Sequence, residues 1–428
     1  MSRVTRQALI SGGGIGGLAA ALAASRAGWG VRLYERAPAF SEVGAGVQLG
    51  PNVVRLLHGW GLQGALERVA AFPERLLVRD ALSGRELGML ALGQRALEKY
   101  GAPYLTLHRA DLHALLVHAV QARDHVWLRL NSPVIGYADS GREITLRTQP
   151  AAVAGPGLHP AQTAPMLEVE GDTLIGADGL WSRVRQQMLN DGLPRVTGHL
   201  AYRAILPQSR LAARLRSQQV TVWLGPRLHV VHYPVRGGEW LNVVAIVHGQ
   251  VDGDLQSWDH HANGADLQQA MGQTAKLLQE LIQAVTDGAN QAAPNWRLWP
   301  LSDRPPLIGA HQQAQGRVAL LGDAAHPMRP YLAQGAGMAI EDAAELGSVL
   351  AMALDPAFDV QTVLQRYALN RWERNARVQA RSLRNGQIFH AQGPLRWARD
   401  ASMKLLGEKL LDMPWLYGTT PNISRNAI

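Results

Sequence analysis

Three glycine-bearing segments hold the residues best suited to chemistry. The first is Gly12-Gly-Gly14-Ile15-Gly-Gly17, with Glu35 eighteen residues beyond Gly17. In this spacing Gly12 allows a tight turn, Gly14 lets backbone approach a pyrophosphate, and Gly17 lets a helix pack on a strand. The helix N-terminus then offers free N–H groups and the positive end of its dipole to phosphate. Glu35, closing the next strand, can accept hydrogen bonds from ribose hydroxyls. The pattern predicts dinucleotide binding. An acid at the ribose position argues against a bound NADP and leaves FAD and NAD open. The second segment, Leu174-Ile-Gly-Ala-Asp178-Gly-Leu-Trp-Ser182-Arg-Val-Arg185, reads as strand, turn and helix. The third is Gly322-Asp323-Ala-Ala-His326-Pro-Met-Arg-Pro330-Tyr331-Leu-Ala-Gln-Gly335-Ala336-Gly337. It delivers Asp323 at a strand end, where it can bond a further cofactor hydroxyl, and opens a second glycine-rich helix N-terminus. His326, between Asp323 and a proline, reads as a loop organiser.

These segments need a scaffold. A strand over 6–11, a turn over 12–17, a helix over 18–27 and a strand over 31–35 form a βαβ unit. Helices are expected over 53–70 and 110–123. Residues 141–148 and 166–175 read as a hairpin, with the Pro/Ala/Gly-rich stretch 149–165 as a flexible loop between them. Short alternating runs at His199–Leu206, Gln219–Leu224, Leu228–Val235 and Trp240–Val247 predict an antiparallel sheet in a second domain. A helix over 265–287 follows. The apolar run Arg317–Gly322 is a buried strand that returns the chain to the first domain, and helices close it over 336–352 and 361–384.

The chain has 428 residues, room for two or three domains, and its 47% hydrophobic and 18% charged composition is globular. It has no cysteine, which excludes a disulfide scaffold, a Cys-ligated metal and a thiol nucleophile, and fits a cytoplasmic location. The histidines lack metal-binding spacing, so no metal site is expected. No apolar stretch reaches the ~18 residues of a spanning helix. Arg3 and Arg6 before the run Ala8–Ala24 imitate a signal peptide, but the glycines within it would break that helix. The net charge of +8 invites nucleic acid or anionic lipid. Residues 366–399, however, hold eight arginines against the single acid Glu373. The surplus therefore belongs to one helical segment, and no nucleic-acid partner is expected. Arg374, Arg377, Arg381 and Arg384 share a helix face, expected to be solvated or to pair with acids of the body or of a second subunit.

The three segments, in this order and spacing, resemble the single-component FAD-dependent aromatic hydroxylases of the para-hydroxybenzoate hydroxylase type, from about residue 6 to 385. Val43–Asn52, Tyr100–Arg109 and Trp223–Asn242 look like the hydroxylases of 3-hydroxybenzoate, salicylate and 6-hydroxynicotinate. The resemblance implies an α/β fold. A Rossmann-like FAD-binding domain would take 1–75, 101–190 and 305–355. A discontinuous antiparallel-sheet substrate domain would take 76–100 and 191–304, with C-terminal helices over 356–428. It implies that Gly12, Gly14, Ile15 and Gly17 hold the FAD pyrophosphate, with Glu35 and Arg36 at the adenosine ribose. Val134 would touch the adenine, Arg109 and Gln48 the FAD, and Asp323 its ribityl chain. Asp178 would serve both FAD and NAD(P)H, while Pro330, Gly335, Ala336 and Gly337 would face the isoalloxazine. Two positions depart from relatives: Gln48 stands where the 6-hydroxynicotinate enzymes have a His, and Pro330 where the 3-hydroxybenzoate enzymes have a Gln.

The implied reaction is hydroxylation of a small phenolic carboxylate, with 3-hydroxybenzoate at ring position 6 as the leading substrate. Salicylate and 6-hydroxynicotinate are alternatives. NADH (or NADPH) would supply electrons and dioxygen the inserted atom, by way of a flavin C4a-hydroperoxide. A phenol reacts better as phenolate, so a base is needed, and histidine suits that task. His229 is the first candidate. Tyr233, four residues along the same strand, shares its face, whereas His232 lies opposite. Tyr104, Tyr331 and Gln48 are candidate substrate contacts. A flavin oxidase or reductase without ring hydroxylation is the reading from another class, and a homodimer is one expected assembly.

Overall fold

The structure is a computed structural model. It describes residues 6–40, 45–149, 165–251, 253–255, 260, 262–287 and 296–419. Two sheets organise it. The first has six strands in the order Ala314–Gln315, Val318–Leu320, Thr173–Gly176, Gln7–Ser11, Gly30–Tyr34 and Val126–Arg129. All neighbours run parallel except the first pair. Its central strands read as apolar runs because helices cover both faces of such a sheet. Helix Ile15–Arg26 lies against Gly335–Met352, and both bury most of their length.

The second sheet has seven strands in the order Arg297–Asp303, Arg195–Pro207, Trp240–His248, Leu228–Val235, Val220–Gly225, Arg75–Asp80 and Glu86–Ala91. Alternation sorts its residues into two faces. Tyr202, Ala204, Leu228, Val230, Leu241 and Val243 pack under helices Gly264–Met271 and Lys276–Asp287. Arg203, His229, Val231, Tyr233, Val244 and Ile246 turn the other way, into a cleft.

Several expected elements divide. The helix expected over 53–70 is two, Pro51–Gly59 and Gln63–Val69, with Gly61 at φ +81° between them. The helix expected over 265–287 breaks after Met271. The second strand of the expected hairpin also splits. Leu167–Gly171 pairs antiparallel with Ile144–Thr148, but Thr173–Gly176 crosses into the first sheet. Side-chain alternation does not show such a transfer, because both halves are extended. Of the loop expected over 149–165, residues 150–164 lie outside the described residues.

The arginine-rich helix runs from Val360 to Phe389. Of the two expectations for its face, pairing with acids of the body holds at Arg374, which reaches Glu341 at 2.6 Å, and Arg371 reaches Glu341 and Asp342 at 3.0 and 2.8 Å. Arg377 stacks on Trp415 at 4.1 Å. Among the described residues, no helix is long and apolar enough to cross a membrane.

Candidate active site

The glycine turn follows the central strand. Gly12 sits at φ +104°, where L side chains are strained, and a Cβ on Gly17 would lie 1.9 Å from the Gly12 carbonyl oxygen. Helix and turn therefore pack directly on each other. Gly14 differs: a Cβ there would meet nothing within 4 Å. Helix Ile15–Arg26 starts at that open space without a side-chain cap, so its first N–H groups are left for a ligand. Glu35 Oε2 accepts from the Gly13 N–H at 2.6 Å and Oε1 from the Ala37 N–H at 2.8 Å, fixing the acid beside the turn. Ile15 is buried beneath the helix start, while Arg36 is exposed. Val134 opens strand Val134–Asp139 and packs in one cluster with Tyr34. An open glycine cradle, an uncapped helix and a fixed acid fit a dinucleotide's pyrophosphate and ribose.

The cleft between the sheets continues this line. Gly46, Val47, Gln48, Arg109, Asp323, Pro330, Gly335 and Ala336 form one side. Helix Gly335–Met352 also begins without a side-chain cap, so a second set of N–H groups faces the cleft. Asp323 keeps accessible surface there. The surrounding protein pushes its carboxyl above its ordinary value, with Arg109 and His326 pulling the other way. Asp178 is not among the cleft residues. Its carboxylate accepts from Ser182 Oγ at 2.5 Å and from the N–H groups of Arg183 and Val184 at 2.9 and 3.2 Å. It thereby caps the helix Arg183–Leu189 and sets Leu180 and Trp181, which do line the cleft. His326 bonds Asp342, as a loop organiser would.

The opposite wall carries Arg203, His229, Val231 and Tyr233. His229 is 2% exposed; burial pushes its imidazole down to about 3, and the nearby His199 adds to the shift. Its Nδ1 meets His390 Nε2 at 2.8 Å, leaving Nε2 for the cleft. Tyr233 bonds Gln48 and stays un-ionised through burial. His232, on the opposite side of the strand, is held down to about 4 by burial and by Arg79.

Two expected substrate contacts stand elsewhere. Tyr104 and Tyr331 are buried and are not among the cleft residues. The Tyr104 hydroxyl donates to Gln48 Oε1 at 2.8 Å, so it holds Gln48 from behind. The Tyr331 hydroxyl bonds His199, and its ring stands edge-on to His229 with centroids 4.9 Å apart. Both aromatic rings find their burial in the layer behind the wall.

The residue that sequence reasoning missed is Arg203. Its guanidinium lies over Trp299 at 4.2 Å and its Nε has no hydrogen-bond partner among the described residues. Burial lowers it to about 10, with Tyr233 opposing and Arg109 adding to the shift. A charged residue among alternating apolar ones on a predicted strand was the available signal. His199, His248 and His390 were also missed. They gather behind His229 from three elements far apart in the chain, which no local spacing announces.

Comparisons with known proteins agree with this geometry. The FAD binding domain family matches residues 5–382. A 3-hydroxybenzoate 6-hydroxylase of Aquipseudomonas alcaligenes is 36% identical, covering 96% of this chain and 97% of that protein. A 6-hydroxynicotinate 3-monooxygenase of Bordetella bronchiseptica is 36% identical over 90% and 92%. Among solved structures, a salicylate hydroxylase substrate complex superposes with TM-score 0.77 and 25% identity, covering 98% and 97%. The chain belongs to the FAD-dependent aromatic-ring monooxygenases, with FAD as its cofactor and NAD(P)H as co-substrate.

Proposed function

We propose that the protein hydroxylates 3-hydroxybenzoate at ring position 6, with NADH as the preferred reductant. The carrying observation is the wall that sets His229, Tyr233 and the cation Arg203 opposite Gly335–Ala336 within one cleft. What bound FAD supplies is two-electron activation of dioxygen, one atom going to the ring and the other to water. The glycine cradle at Gly12–Gly17, Glu35, Arg36 and Val134 binds the adenosine and pyrophosphate end. Gln48, Arg109, Asp323, Pro330 and Gly335–Gly337 bind the flavin end. Asp178 acts one step removed, through the loop that carries Leu180 and Trp181.

Arg203 anchors the substrate's negative charge. A guanidinium with an unpaired, buried Nε suits a carboxylate or a developing phenolate. His229 accepts the phenol proton at Nε2. Burial holds its imidazole down to about 3, by itself too weakly basic to take a proton from a phenol of about 10. An anionic ring beside it offsets the desolvation that depresses it, and Arg203 favours the phenolate. Proton transfer is thus tied to binding a substrate that carries negative charge. Tyr104 and Tyr331 act as positioning residues, through Gln48 and His229.

The sequence shows no basic motif for a 2′-phosphate, which supports NADH over NADPH. The need for reduced nicotinamide and the lack of cysteine support a cytoplasmic location. Trp397 and Leu405, both exposed on helix Gly393–Leu406, support a homodimer; light scattering would show it. A second substrate, 6-hydroxynicotinate, is favoured by the 6-hydroxynicotinate 3-monooxygenase that is 36% identical over 90% of the chain. The test is a panel of 3-hydroxybenzoate, salicylate and 6-hydroxynicotinate with each nicotinamide, scored by oxygen uptake and product mass. The expected product is 2,5-dihydroxybenzoate, formed with NADH. Hydrogen peroxide without any hydroxylated ring would favour an oxidase.

A further inference from the structure

Behind His229 lies a cluster that hydroxylation does not use. His199 belongs to strand Arg195–Pro207, His248 ends strand Trp240–His248, and His390 follows helix Val360–Phe389. His199 and His390 are buried and His248 is half-buried. One nitrogen from each lies within 4.8 Å of the other two. His248 Nε2 and His390 Nδ1 are 3.0 Å apart. The ring of His390 stands 5.1 Å from that of His199 and 5.0 Å from that of His248.

We propose that His199, His248 and His390 form a binding site for a divalent first-row cation of the zinc class. Tetrahedral zinc with ligands at about 2.0–2.1 Å sets nitrogens about 3.3 Å apart. The His248–His390 pair, at 3.0 Å, needs to open by only a few tenths of an ångström, and His199 closes by moving one imidazole. The surrounding bonds match a ligand shell. Metal-bound histidines donate their second N–H to an orienting partner. His390 directs Nε2 to His229 Nδ1 at 2.8 Å, and His199 directs Nδ1 to the Tyr331 hydroxyl, which leaves Nε2 for the ion. Three imidazoles without a carboxylate select zinc, nickel or copper over magnesium or calcium. The facing cations are Arg329, paired with Asp303 at 2.7 Å, and Arg227 beside His248. Half-buried His248 gives the ion its way in.

Occupancy reaches the cleft through one hydrogen bond. With a metal on Nδ1, His390 must carry its proton on Nε2 and donate it to His229 Nδ1. His229 then holds its own proton on Nε2 and cannot accept one there. The ion is a brake on hydroxylation, a consequence that rests on His229 being the base.

The test dialyses tag-free, FAD-loaded protein against micromolar zinc and counts the bound metal by atomic absorption, beside His248→Gln and His199→Gln. FAD content and Tm in zinc-free buffer verify folding of each variant. The expected result is one zinc per chain, bound at least about tenfold more weakly by each folded variant. Wild-type protein that binds no more zinc than a folded variant overturns the site. Zinc should also slow wild-type turnover and spare His248→Gln. One zinc per chain with undiminished turnover overturns the link to His229. Metal content is independent of any hydroxylation assay, so failure of the substrate assignment is a separate result.

Discussion

Two buried polar clusters of the molecule are built on opposite principles. At the cofactor end, Glu341 and Asp342 show no exposed surface, yet both stay ionised. Burial alone would raise them, but Arg371 and Arg374 hold Glu341 below its ordinary value, and His326 and Arg371 do the same for Asp342. Asn52 and Asn375 donate to the same carboxylates at 2.7 and 2.9 Å. At the substrate end, His199, His229, His248 and His390 carry no charge to pair. The first cluster is one fixed arrangement that locks helix Gly335–Met352 to helix Val360–Phe389. The second is a chain of imidazoles whose hydrogen bonds can run either way, because each ring has one donor and one acceptor. Fixed charge holds the first cluster in one arrangement, whereas the tautomers of the second can switch.

Breaking each cluster should therefore give different symptoms. The largest effect is expected for His229→Ala, which should slow hydroxylation by about 10²–10⁴-fold with FAD retained, measured by single-turnover product formation. Arg371→Met strands two buried carboxylates and should cost about 3–5 kcal/mol with loss of FAD, measured by urea unfolding and flavin fluorescence. Arg203→Gln removes one cation of the cleft and should raise KM for a carboxylate substrate by about tenfold or more, with less effect on the amide analogue.

Acid should loosen the histidine end first. Unfolded histidines titrate near 6.5, whereas His229 folds with a value of about 3 and His199 of about 4. Above pH 6.5 neither state is protonated and these groups leave stability unchanged. Between 6.5 and the folded values only the unfolded chain takes up protons, so stability falls as pH falls. For His229 alone the slope reaches ~1.4 kcal/mol per pH unit. Asp342, held well below 3.8, keeps its contribution until pH drops through that range. Thermal unfolding at pH 7.5 and 5.0 should show the loss. The smallest effect is expected for Tyr104→Phe, which deletes one bond to Gln48 and should cost about 1 kcal/mol, seen as a KM rise of a few-fold.

The sequence made the cofactor end readable because its rules are local. Gly12 needs its left-handed turn, Gly17 its close contact and Glu35 its strand end, and all fall within one βαβ unit. The alternation that placed His229 and Tyr233 on one face held for the same reason. What was not legible depends on distant partners. Tyr104 and Tyr331 share the composition of substrate contacts, but burial behind the wall decides what they touch. For Arg374 the sequence left solvation and pairing both open, and only the fold brings Glu341 to it. His390 lies 161 residues from His229 and 142 from His248, so only the folded helix brings them together.

In the proposed function one cleft joins the flavin to His229, which prepares a phenol for attack. The direct measurement is the fraction of NADH electrons recovered as 2,5-dihydroxybenzoate from 3-hydroxybenzoate, in wild-type and His229→Ala protein of equal FAD content. The wild type should recover most of them, and the variant should turn over slowly with most of its electrons lost to hydrogen peroxide. Full-rate, fully coupled hydroxylation by His229→Ala at neutral pH would contradict the account.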